Sequence, residues 1–239
     1  MERSFRIVRK VANKQIILLK EIEHNSSIKK GINFLYFVRT IEGVWENADF
    51  AIGLGRGRHR GFSFYPVRMI MENTFRLEYF NKQTSEKQNE IATKEILRIA
   101  KRFYEFEKEK KGDHQPYEKS YKFFASDITI SSIEEVREGE LDPFPSMRNL
   151  IKNTDIPGGA GLYLHYQSLA ELSHGKLLSL FETGEQEGFQ HRISLMYLQL
   201  MIPSLLKSAH FQLDKKTSNE VAEAIQSLKE IIKAPVSLK

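Results

Sequence analysis

The chain is predicted to be an all-α, single-domain helical bundle of about six to eight helices. Apolar residues recur at three- and four-residue spacing nearly everywhere, helix-start signals precede several of these runs, and glycine or proline interrupts them. With 239 residues and 41% hydrophobic composition the chain can bury one sizeable core, and no Pro/Gly/Ser-rich linker divides residues 1–239.

The elements follow in chain order. Val8, Val11, Ala12, Leu18, Leu19 and Ile22 form a first stripe, with Arg3, Arg6, Lys10 and Lys14 on another face, and this helix ends near His24. Ser26 or Ser27 can cap a second helix, whose stripe runs through Ile28, Leu35, Val38, Ile41, Trp45, Ala48 and Ile52 until glycines at 53, 55, 57 and 61 break it. Pro66 suits the first turn of a helix reaching about Phe80. Ser85 with Gln88 makes a capping-box pattern before a helix whose inner face is read as Ala92, Ile96, Ile99, Phe103 and Phe106, and which finishes in the charged run Glu107 to Lys111.

Between residues 112 and 145 the pattern weakens, and short helices joined by loops are expected there as a less regular insertion. Helical spacing returns over Met147 to Lys152 and from about Gly159 to Phe181. Residues 189–213 are apolar almost all round, which marks a central buried helix; Gln199, Ser204 and Lys207 argue against a membrane span, and Pro203 should kink it. Thr217 with Glu220 opens a closing helix that turns Val221, Ala224, Ile225, Leu228 and Ile232 inward.

Composition narrows the chemistry. The absence of cysteine removes disulfides, thiolate metal sites and cysteine nucleophiles, and fits a reducing cytoplasm. The N-terminal basic residues precede an apolar block too short and too charged for a signal peptide or membrane span, so a soluble cytoplasmic protein is expected, with no membrane partner. A net charge of +5 favours a polyanion only mildly, because 31 acidic residues are mixed with 36 basic ones.

Polar residues inside apolar runs are the candidates for function, because burying them is costly unless they pair or perform a task. In Pro66-Val67-Arg68-Met69-Ile70-Met71-Glu72, Arg68 points between Phe75 and Tyr79, Glu72 lies one turn on, and Glu78 points between Val67 and Met71. Arg68 and Glu78 are therefore expected to be partly buried, and an Arg68–Glu72 pair can equally be a plain helix-surface bridge. His165 shares a face with Leu169 and Leu172 and reads as a core histidine. His174 is about half a turn round from it, beside Ser173 and Gly175.

Arg39-Thr40-Ile41-Glu42, the Pro66 to Glu72 stretch with its aromatic tail through Tyr79-Phe80, Pro143 to Met147, and Tyr166 to Ser173-His174-Gly175 resemble a broad domain-of-unknown-function family of bacterial helical proteins. Its members pair an Arg-x-x-x-Glu helix with a later Tyr, Leu-Ser and His-Gly segment. The resemblance implies that Arg68, Glu72, Tyr166, Ser173 and His174 form one buried polar cluster linking two helices. It is distantly similar to the helical HEPN proteins, many of which are ribonucleases or RNA-associated relatives in bacterial defence. Those enzymes carry an Arg four to six residues before the His; here Gln167-Ser168-Leu169-Ala170-Glu171 supplies none.

Several functions are expected in competition. A nuclease would use His174 for proton transfer and Arg68 to hold phosphate. Glu21-x-x-His24 and Glu171-x-x-His174, with Glu72 or Glu78, could instead build a carboxylate metal site, although such spacings arise by chance in an acid-rich chain. The loop Gly55-Arg56-Gly57-Arg58-His59-Arg60-Gly61 could bind phosphate or RNA, or be a solvated turn; it has no Walker lysine or nucleotide fingerprint. The reading preferred from sequence is a binding or regulatory module, with no metal and no cofactor, that engages RNA or a partner protein. A homodimer is a further expectation, because the apolar excess over 189–213 can be covered by a second copy.

Overall fold

A computed structural model describes residues 31–54, 64–155, 159–173 and 226. The described part is all-α, with no strand among the described residues. Its helices are α1 (Ile32–Leu54), α2 (Phe64–Asn81), α3 (Ser85–Glu109), α4 (Gln115–Ala125), α5 (Met147–Lys152) and α6 (Gly159–Ser173), with a single 3-10 turn at Glu138–Leu141. None of the described helices is long and apolar enough to cross a membrane. The helices expected before residue 31 and over 189–213, the kink at Pro203 and the capping box at Thr217 lie outside the described residues.

The chain divides into two compact units. The first contains described residues 37–54, 64–81, 147–155 and 159–173. Its buried side chains are spaced as helices require: Phe37, Val38, Ile41 and Val44 on α1, and Val67, Ile70, Met71, Phe75, Leu77 and Phe80 on α2. Pro66 is the third residue of α2, where its missing N–H costs no helical hydrogen bond. Buried Thr74 donates its hydroxyl to the Ile70 carbonyl at 2.8 Å, which satisfies a polar group inside an apolar face. Both α5 and α6 pack on α2, and on each other, contributing Leu150, Ile151 and Leu169 to the interior.

The second unit contains described residues 31–36 and 82–146. Here α3 packs along α4 and against the 3-10 turn, around a core of Leu97, Ala100, Tyr104, Tyr121, Ile133, Val136 and Leu141. Residues 112–146 are thus a short helix, one 3-10 turn and connecting loops whose apolar residues complete this core. Two buried polar groups hold the loop carbonyls: Lys101 Nζ donates to Ile133 O at 2.7 Å, and Tyr121 OH donates to Ser131 O at 3.0 Å. Each bond satisfies a backbone group that the packing removes from water.

Two sequence expectations for α3 are corrected. The N-cap is Thr84, not Ser85: Thr84 has extended backbone, and its hydroxyl accepts the Lys87 N–H at 3.4 Å. Gln88 is therefore no capping-box partner; it is buried, and its amide donates to Gln83 O at 3.4 Å. The expected inner face is also only half right. Ala92 is buried, but Ile99, Phe103 and Phe106 are each about half exposed, at 51%, 50% and 49%. In the C-terminal half of α3 it is Leu97, Ala100, Lys101 and Tyr104 that are buried, because α4 and the 3-10 turn lie on that side.

At its C-terminus α3 closes with a Schellman pattern. Gly112 N–H donates to Glu107 O at 2.8 Å and Lys111 N–H to Lys108 O at 3.2 Å. The turn needs a left-handed residue at 111, where lysine sits at φ 56° in a place usually held by glycine. Lys111→Gly is expected to stabilise the chain by about 0.5–1 kcal/mol in urea denaturation, whereas Leu97→Ala, which empties a fully buried position, should cost about 2–5 kcal/mol.

Candidate functional site

The helical repeat of α2 places Arg68 and Glu72 one turn apart on the same face, so their side chains can meet without any tertiary help. Arg68 Nε donates to Glu72 Oε1 at 2.9 Å. The pair is not a plain surface bridge, because its side chains keep only 22% and 13% of their exposure. From α6, Tyr166 OH donates to the same Glu72 oxygen at 2.9 Å, and the Arg68 guanidinium carbon lies 5.7 Å from the Tyr166 ring centroid. One carboxylate oxygen thus accepts from both helices, and the cation sits against the ring that supplies the second donor.

The electrostatics follow from this geometry. Burial pushes the Tyr166 phenol above its ordinary value, and the charge and hydrogen bond of Glu72 push it further in the same direction against the opposing effect of Arg68. Burial alone would lower Arg68, but the hydrogen bond and charge of Glu72, with help from Tyr166, raise it above its ordinary value. Both groups are held protonated well past neutrality. Neither can serve as a base at neutral pH, so the arrangement is suited to holding α2 and α6 together and to fixing a charge in place.

Glu78 forms a second link in this unit. Its carboxylate accepts the Thr154 hydroxyl, and its Oε1 accepts the Asp155 N–H at 2.8 Å. Glu78 is partly buried, as its helical angle predicts. Its task is to anchor the chain just after α5, a partner that no local spacing could reveal because 76 residues separate Glu78 from Thr154.

The structure brings together Arg68, Glu72 and Tyr166. α6 ends at Ser173, but the side chains of Ser173 and His165 and the whole of His174 fall outside the described part. Glu171 is exposed on α6. Arg56, Arg58, His59 and Arg60, together with Glu21 and His24, also lie outside the described residues. Among the described residues no group of three or more His, Asp or Glu side chains is arranged to hold a metal ion; Glu72 is occupied by Arg68 and Tyr166, and Glu78 by the chain at 154–155. The chain matches no protein-family model, no curated protein and no solved structure.

The shared-carboxylate link makes a signed prediction. Tyr166→Phe removes a hydrogen bond to a charged acceptor and should lower stability by about 1.5–3 kcal/mol in urea denaturation at neutral pH. Because the folded phenol keeps its proton to higher pH than the unfolded one, this group's stability is fully present below its ordinary value of 10.0 and is lost as pH rises through the folded value. Alkaline denaturation of the wild type should therefore steepen above that pH, and Tyr166→Phe should flatten the decline; equal slopes would refute the link.

Proposed function

We propose that this chain is a binding or regulatory module that acts through a protein partner and not through a reaction at the α2–α6 cluster. One observation carries the reading: Glu72 is committed to two donors, and those donors, Arg68 and Tyr166, are held in their protonated forms. A site of this kind supplies rigidity, and neither Arg68 nor Tyr166 can take a proton at neutral pH. The likeness to bacterial helical proteins related to HEPN folds supports placing such a module in a defence setting.

An RNA-binding reading rests on a different feature, the glycine-spaced cations Arg56, Arg58 and Arg60. Phosphate contacts of that type release counterions, so affinity would fall steeply with salt. The divergent HEPN-like ribonuclease would require His174 as its acid or base, and the missing Arg before His174 weighs against it.

Labelled single-stranded RNA incubated with the purified chain at high concentration is expected to stay intact. Cleavage that disappears in His174→Ala would overturn the non-catalytic reading. In a salt titration of RNA binding, wild type and an Arg56→Gln, Arg58→Gln, Arg60→Gln variant are expected to behave alike. A salt slope that shrinks by about one unit per neutralised phosphate contact would transfer the assignment from protein to RNA.

A further inference from the structure

The stripe on α3 that the sequence marks as apolar does not end where its burial ends. At 100° per residue, Ala92, Ile96, Ile99, Phe103 and Phe106 fall within an arc of about 80°. The first part of that stripe is covered, with Ala92 fully buried, while Ile99, Phe103 and Phe106 stand about half exposed. On the neighbouring helix α4, Tyr117 stacks on Phe103, with centroids 5.4 Å apart and planes 14° apart, and widens the aromatic surface. Lys110 lies over the Phe106 ring at 4.1 Å and closes the far end. Three large apolar side chains in a row on one helix are more than the scattered apolar exposure of an ordinary surface.

The charges beside this stripe identify what covers it. Arg98, Arg102, Glu105 and Glu109 occupy one flank, within an arc of about 60°. The basic pair lies toward the N-terminus of α3 and the acidic pair toward its C-terminus. A twofold antiparallel neighbour of the same sequence sets this flank against the same flank of the second copy, with the basic end of each opposite the acidic end of the other. With a twofold axis between residues 103 and 104, Arg102 faces the second copy's Glu105. The same register brings Phe103 against its own counterpart and seats Ile99 beside the second copy's Phe106. One register therefore satisfies both the charges and the apolar side chains, and self-complementarity of this kind is what an isologous contact requires.

We propose that the exposed half of the α3 stripe, Ile99, Phe103 and Phe106 with Tyr117, is the interface through which two copies of this chain pair antiparallel. Arg98 is already held by Glu95, with only 16% of its side chain exposed, so the flank takes part through Arg102 and Glu105. Arg102 is paired with Glu138 but its side chain remains 59% exposed, and Glu105 is paired with Lys101 while 51% exposed. Exposed bridges of this type contribute little, so a second partner across the axis is added at small cost. The inference does not rest on the reading of the α2–α6 cluster and stands or falls separately from it.

The test is the molar mass of the full chain in light scattering coupled to size exclusion, over low to high micromolar concentration. Wild type is expected at twice the chain mass, and Phe103→Glu and Ile99→Glu at the mass of one chain with unchanged helical circular dichroism; the second variant guards against Phe103→Glu failing to fold. Arg102→Glu and Glu105→Arg should each weaken pairing about tenfold, and the two combined should restore it. A wild type that keeps the mass of one chain throughout would overturn the proposal, leaving the face to some other occupant. So would a dimer that survives both glutamate variants, or a combined charge swap that recovers nothing.

Discussion

A carboxylate inside a helical bundle has to be answered by donors, and Glu72 is answered twice. The energetic asymmetry is large: a satisfied buried carboxylate adds modestly to stability, while one stripped of a partner leaves an uncompensated charge in a poor solvent for it. Arg68 comes from the same helix and is available whenever α2 forms. Tyr166 comes from α6 and is available only when that helix is seated. Glu72 therefore makes the correct placement of α6 a condition of a favourable α2, and Glu78 imposes a similar condition on the chain between α5 and α6 by accepting from Thr154 and Asp155. Hydrophobic packing through Val67, Ile70, Met71 and Leu169 supplies area without direction; the two glutamates supply direction.

In the second unit the same division of labour appears with different chemistry. Leu97, Ala100, Tyr104, Tyr121, Ile133, Val136 and Leu141 supply the area, and Lys101 and Tyr121 reach across to loop carbonyls that helix and strand pairing leave unsatisfied. The ammonium of Lys101 is nearly buried, which its carbonyl acceptor and the Glu105 carboxylate at 2.9 Å together offset. The loop that follows α4 is thereby ordered by side chains of both α3 and α4.

These features give the functional reading its shape. A polar cluster in which Arg68 and Tyr166 both keep their protons while sharing one carboxylate oxygen is good at preserving geometry. A half-covered aromatic stripe with an ordered charge flank is good at recognising a surface. Under the proposed reading the chain works by association.

How much of this was legible in the residues differs from element to element. Helical class, the order of the described helices, the end of α3 near Lys111 and the Arg68–Glu72 spacing all follow from periodicity and from contacts no more than one turn apart, which are local properties of the chain. The shift of the α3 cap to Thr84 is within reach of sequence but not decided by it, since Thr84 and Ser85 offer the same hydroxyl one residue apart. What the residues could not disclose is which side of an amphipathic helix is covered. α3 carries two apolar stripes, one through Ala92 and Phe103 and one through Leu97 and Tyr104, and only the position of α4 and the 3-10 turn determines that the second is buried over its C-terminal half. Tyr166 as the second donor to Glu72, 94 residues away, follows from no spacing and is implied only by the family resemblance, and Thr154 as the partner of Glu78 is a tertiary fact. Spacing governs what one helix can do with itself; which distant group meets it depends on how the helices stack, and that is a property of the folded chain alone.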